Sequence, residues 1–304
     1  MDSSDQEGPG GRFARYYLPL GLHLRLPDLW CAHLHPLLDH HERMLIAIGR
    51  EDYAYPVEIV VHQCRASADA VLGGLELALV VANRDRESDH SGVELPPRDP
   101  EPPAALQTVL AVEVELVDHS TECVSEGLDA AVYFTRKLQR GVAIALQHPT
   151  PLITRQQLPP LVPVVLSSAG DRTPGRKTEL RVLPTGAPPT FGAIDDPDLD
   201  TAQIDAVMEA TERLDSGGPF LLYAELRNEA WVQASWTGQA AMAAVTIASA
   251  CELLLDDLLL HMSWEEGLLP LDGATLMEKQ LKARVKSHFH TRLGGAWNED
   301  QLQP

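Results

Sequence analysis

Apolar and small residues recur at Ala241, Ala244, Val245, Ala248, Cys251, Leu255, Leu258, Leu259 and Met262 within the stretch from Gly238 to Met262. Spacing of i, i+3, i+4, i+7, held for about seven turns, predicts an amphipathic helix. Its first half is rich in alanine (Ala240, Ala241, Ala243, Ala244, Ala248, Ala250), so another backbone can approach closely there, whereas its second half broadens into space-filling leucines. The pattern predicts a central helix packed on several neighbours. Glu252, Asp256 and Asp257 interrupt the run, and carboxylates at the centre of a bilayer are costly, so a soluble bundle is expected rather than a membrane span.

The rest of the last third carries the same period. Residues 201–216 place Ile204, Val207, Met208 and Leu214 at helical spacing behind a Thr201 cap and stop at Gly217-Gly218. Residues 220–236 give a second helix. After the run 238–262, a fourth follows Pro270, with Met277, Leu281, Val285, Phe289 and Leu293 recurring up to Gly294-Gly295.

Upstream the period changes to two. Leu18, Leu20, Leu22, Leu24 and Leu26 alternate with other residues and predict a strand, which Pro19 places at an edge or an irregular start. Residues 55–64, with Val57, Ile59 and Val61 on one side, predict another, and the more continuously apolar run Leu75 to Val81 a further one. Leu110, Val112, Val114 and Leu116 face one way with Glu113 and Glu115 opposite, which predicts a half-buried strand. Residues 83–105 concentrate charge and Pro96, Pro97, Pro100, Pro102 and Pro103, and read as an exposed loop. Ser125 to Gln147 predicts a helix covering a sheet, with Arg136, Lys137 and Arg140 on its more exposed side; residues 161–168 and 178–184 predict two short strands.

The Pro-, Gly- and Asp-rich stretch from Pro184 to Asp200 is the strongest boundary. The expectation is an α+β chain. It has a mobile start over residues 1–12, a β-rich domain over 13–189 with one long helix, a linker over 190–200 and a helical domain over 201–304.

Composition narrows the partners. A chain of 304 residues with 44% hydrophobic residues is long enough for two cores. Its formal charge of −20 opposes general attraction to nucleic acid or anionic membrane, so any such binding must be local. Cys31, Cys64, Cys123 and Cys251 lie far apart with no C-x-x-C pair, and the polar start lacks an apolar signal core; both point to a reducing cytoplasm.

Three constellations could carry chemistry. His33, His35, Asp39, His40 and His41 cluster in WCAHLHPLLDHHE, and imidazole with carboxylate suits zinc or another transition metal. Without H-E-x-x-H or a paired Cys/His framework, the plainer reading is an exposed histidine-rich loop; metal ligation by His33, His35, His40 and His41 is the sharper one. In MEKQLKARVKSHFHTRLGG, Lys279, Lys282, Lys286 and Arg292 offer phosphate contacts, against the plainer reading of a solvated face. The acidic group Glu252, Asp256 and Asp257 reads as a polar stripe before it reads as a metal site. No G-x-S-x-G, P-loop or dinucleotide fingerprint occurs, so no cofactor is expected.

The segment LRNEAWVQASWTGQAAMAAVTIASACELLLDDLLLHMSWEEG, followed by LKARVKSHFHTRLGGAWNED, resembles the C-terminal helical region of HEPN-like proteins among bacterial, especially actinobacterial, two-part proteins. The upstream AAVYFTRKLQRGVAIALQ and LPPLVPVVL are similar to the β-rich portion of such chains, and the resemblance covers residues 125 to 304. It implies a helical bundle that pairs into a homodimer, RNA as a partner, and a metal-independent ribonuclease of antiphage defence or stress. The family's motif is Arg followed by His after four to six residues. Arg284 and His290 satisfy that spacing, although in the helix before the one expected to carry it, whereas Arg227-Asn228 has no following histidine. In an active form, the arginine would stabilise phosphate charge and the histidine would transfer protons during attack by the RNA 2′-hydroxyl. Two other readings stand beside this one: a noncatalytic ligand- or protein-binding module that dimerises through its helices, and a metal enzyme built on the N-terminal histidines.

Overall fold

The computed structural model describes residues 12–34, 57–66, 75, 77–83, 85, 105–168, 178–184, 197–216, 220–284, 288, 289 and 292. It is a mixed α+β protein with a six-stranded antiparallel sheet. The strands are β1 (Arg12–Pro19), β2 (Cys31–Leu34), β3 (Val57–Ala66), β4 (Ala105–Leu116), β5 (Leu161–Ser167) and β6 (Thr178–Pro184). The helices are α1 (Thr121–Leu146), α2 (Thr201–Ser216), α3 (Leu221–Ser235), α4 (Ala240–Glu265), α5 (Pro270–Met277) and α6 (Leu281–Arg284), with a further helical stretch over 77–83. The chain divides into two compact units, Met1–Gln139 with Leu152–Met208, and Arg140–Pro151 with Glu209–Pro304. The stretch 185–196, which holds most of the expected linker, lies outside the described residues.

In the first unit the strand order is β2-β3-β4-β1-β5-β6. Alternation makes β3 and β4 two-faced: Val57, Ile59 and Val61 are buried in step with Leu110, Val112, Val114 and Leu116. α1 covers the β1 face that carries Tyr16, whose hydroxyl donates to the Val124 carbonyl at 2.6 Å. Gly127 permits that approach. A Cβ built there would overlap the Tyr16 hydroxyl and lie 2.6 Å from Leu116 Cδ2. The opposite face packs Tyr17, Val109, Ala111 and Val165 against Ala78, Val81 and Ala82 of the stretch 77–83. Both faces of β4 are therefore closed, and Glu113 and Glu115 are buried rather than solvated.

Three local expectations are corrected here. The run Leu75 to Val81 is helical over 77–81 rather than a strand, because an apolar run broken only by Glu76 carries too little period to separate the two. The alternating leucines mark burial but not a strand beyond Pro19. Leu20, Leu22, Leu24 and Leu26 are all buried, yet Gly21 (φ 65°) and Arg25 (φ 62°) turn the chain. It stays beside β4 through Leu20 N–H donating to Thr108 O and Thr108 N–H donating to Leu22 O. Lys137 is buried instead of lying on an exposed face of α1.

α2 starts at Thr201, but its cap is Asp200, whose Oδ1 accepts from Gln203 N–H at 2.9 Å while Gln203 Oε1 accepts from Asp200 N–H at 3.1 Å. That reciprocal pair is a capping box. In the second unit Leu259 of α4, Leu276 of α5 and Phe289 form a small core with Leu255, Leu258, Met262 and Met277 around it. Asn228 of α3 is buried and holds residue 150 at both ends: Thr150 N–H donates to Asn228 Oδ1 at 2.9 Å, and Asn228 Nδ2 donates to Thr150 O at 3.1 Å. The fourth predicted helix breaks at residues 278–280 into α5 and α6. α4 is also less enclosed than expected: within it only Ala243, Ala250, Leu259 and Ser263 are buried.

Candidate functional site

Two sets of side chains have the composition of a site. In the first unit, strand register sets His33 opposite Glu58, Glu58 opposite Glu113, and Glu113 opposite Arg15. Directly opposite residues on neighbouring strands share a face, so four strands assemble one line of ionisable groups. Arg15, at its inner end, is buried. Its Nη2 donates to Glu58 Oε1 at 3.1 Å and lies 3.2 Å from Glu113 Oε2, while Nη1 is 3.8 Å from Asp85 Oδ2. The Tyr17 hydroxyl donates to the same Asp85 oxygen at 3.1 Å, and His62 Nε2 is 3.6 Å from it. At the outer end, on edge strand β2, Cys31 Sγ is 3.9 Å from His33 Nε2 and His33 Nδ1 is 4.0 Å from Glu58 Oε2.

The arrangement holds the inner carboxylates against a guanidinium and leaves a thiol, an imidazole and one carboxylate oxygen together at the edge. His33 is therefore brought to chemistry, but with Cys31 and Glu58. His35, His40 and His41 lie outside the described residues. Sequence reasoning missed Arg15, Glu58, Asp85 and Glu113 as members of a site. The available signal was charge interrupting apolar strands at matching parity, which reads as solvent exposure until a second layer covers that face.

In the second unit the two arginines singled out for phosphate, Arg284 and Arg292, are engaged with carboxylates. Arg284 is buried, with Nη2 3.0 Å from Asp256 Oδ1 and Nη1 donating to Met277 O at 3.4 Å. Arg292 forks onto Glu266, with Nε to Oε1 at 2.7 Å and Nη2 to Oε2 at 2.6 Å, and its Nη1 faces His288 Nδ1 at 3.0 Å. Such bidentate pairs are strong and directional. Lys279 is exposed beyond α5, whereas the side chain of Lys282 and the whole of Lys286 and His290 lie outside the described residues. Two of the acidic group are structural: besides Asp256 on Arg284, Asp257 Oδ2 accepts from Phe220 N–H at 3.2 Å at the start of α3, where Phe220 has φ 66°.

The same unit exposes apolar side chains. On α4 Met242, Val245 and Ile247 are 54%, 63% and 37% exposed, and Trp264, Leu269 and Leu271 reach 78%, 67% and 80%. Leu222 and Trp231 of α3 are exposed as well. Among the described residues no helix is long and apolar enough to cross a membrane. No protein-family model matches the chain, and neither does any curated protein or solved structure.

Proposed function

We propose that this chain is a noncatalytic interaction protein whose C-terminal helices form a bundle that pairs with a second copy, while the β-rich unit presents ligand-facing chemistry. One observation carries the reading. From Ala240 to Cys251, α4 has no charged residue, yet all but Ala243, Thr246 and Ala250 are exposed. Exposed apolar surface of this kind marks interaction sites, and interface cores are depleted of charge. In a chain of net charge −20, this stretch is where two copies meet without opposing carboxylates. Its alanines let a second helix approach closely, while Met242, Val245 and Ile247 supply the area.

The HEPN-like resemblance enters this reading as a helical scaffold with a habit of pairing. Ribonuclease chemistry has less support, since Arg284 is buried on Asp256 rather than presented to a phosphate.

Sedimentation equilibrium across protein concentration tests the proposal. The chain is expected to dimerise, and Met242→Glu with Val245→Glu, both at exposed positions, to weaken the dimer by at least about a hundredfold, since a charge buried unpaired in an interface costs several kcal/mol. An unchanged circular dichroism spectrum would show that the variant still folds. A wild-type monomer at about 100 μM, a hundred times a micromolar dissociation constant, would end the pairing half of the reading. RNA cleavage abolished by His290→Ala would end the noncatalytic half.

A further inference from the structure

The geometry points to a transition-metal site on the edge of the sheet, formed by Cys31, His33 and Glu58 and suited to zinc. Cys31 and His33 sit two residues apart on β2 and so project from one face, the exposed one, while Ala32 and Leu34 point into the core. Register then sets Glu58 of β3 directly across from His33. One ligand atom from each of the three lies within 4.8 Å of the other two.

A tetrahedral zinc with its sulfur at about 2.3 Å and its nitrogen and oxygen near 2.0 Å holds ligand atoms about 3.3–3.6 Å apart. Closing the present arrangement takes roughly an ångström. Rotation of the exposed Cys31 and His33 side chains supplies it and turns one ring nitrogen toward both partners.

Two features separate this trio from a chance cluster. Glu58 is already oriented, because Arg15 takes Oε1 at 3.1 Å while Oε2 is the oxygen turned toward His33. Support of a ligating carboxylate by a hydrogen-bonded neighbour is a regular part of built metal sites. The donor set is also selective. Thiolate with imidazole and one carboxylate favours zinc and its neighbours over calcium or magnesium, which want oxygen alone. Three protein ligands leave a position for water, and the ion ties edge strand β2 to β3. The metal site is independent of the pairing proposed for the helices.

The full-length chain, stripped with a chelator and titrated with cobalt(II), tests it. Expected are saturable binding with a thiolate-to-cobalt charge-transfer band, displacement by zinc, and a melting temperature that climbs with free zinc. Cys31→Ser should abolish the band. His33→Ala should lower affinity roughly 10- to 100-fold, and Glu58→Gln similarly. Because Glu58 also holds Arg15, the two exposed positions are the decisive ones, and their variants must keep the wild-type circular dichroism. Absence of saturable binding overturns the site. So does binding that Cys31→Ser leaves unchanged, which would assign the ion to other histidines. Dimerisation should be the same with and without metal, so failure here leaves the pairing proposal standing.

Discussion

His288 shows how a single basic residue near the C-terminal end of the second unit is set by its neighbours. Partial burial, with Lys279 and Arg292 nearby, holds its imidazole below the ordinary range, and Glu266 pulls it more weakly the other way. The hydrogen bond agrees, since Arg292 Nη1 donates to Nδ1 and so requires that nitrogen unprotonated. In the unfolded chain the ring titrates near 6.5. As pH falls through that value the unfolded state takes up a proton that the folded state refuses. Stability from this source is thus whole above about pH 6.5 and lost below it. Glu266, held below the usual carboxylate range by Arg292, loses its contribution only at lower pH. Urea midpoints between roughly pH 8 and pH 5 should therefore fall in the wild type and flatten in His288→Gln, with the carboxylate-driven loss at lower pH retained. An identical slope in both proteins would show that His288 is not the group responsible.

Helix α1 and strand β1 meet at Gly127 and Tyr16, and there the element scale decides stability. Gly127→Ala puts a methyl group where the Tyr16 ring and Leu116 already are, and overpacking of this kind costs about 1–3 kcal/mol. Tyr16→Phe removes the buried hydroxyl that donates to Val124 O, a loss of about 1 kcal/mol, but also frees space beside the glycine. The double variant should consequently lose less than the sum of the two in urea unfolding; strict additivity would mean that the helix does not rest on that ring. The helix itself was legible in the sequence because a 3.6-residue period runs through Leu128, Val132, Leu138 and Val142, and β3 because Val57, Ile59 and Val61 alternate. What covers the second face was not. A nearly continuous apolar run such as Leu75 to Val81 fits either element, and once it is helical the glutamates of β4 change from solvated to buried. The candidate site was hidden for a related reason. His33 was visible inside a histidine-rich stretch, but Arg15 and Glu58 are separated by 43 residues and meet only through strand order. Arg284 met the Arg-x5-His spacing, yet spacing along the chain says nothing of Asp256, which holds it from another helix.

At the scale of the whole molecule, charge opposes the pairing proposed for the apolar helix, and salt separates the two. Each copy carries a formal charge of −20, so two copies brought together repel across every route of approach. Raising salt from about 0.01 M to 0.15 M shortens the screening length from roughly 30 Å to 8 Å. Repulsion between exposed charges on two chains is then largely removed, while the proposed contact through the exposed Met242, Val245 and Ile247 would be almost unaffected. The dimer should therefore tighten several-fold over that range in sedimentation equilibrium. The ribonuclease reading predicts the opposite sign for its own complex. Lysines such as Lys279 neutralising phosphates release counterions, so affinity for RNA falls linearly in log–log form as salt rises. Fluorescence anisotropy with a short single-stranded RNA, run in the same buffers, sets the two dependences side by side. Tightening self-association without measurable RNA binding is the expected outcome. A dimer that weakens with salt would mean that ion pairs rather than the uncharged face of α4 hold the copies together, and the pairing surface would have to be sought among the charged residues instead.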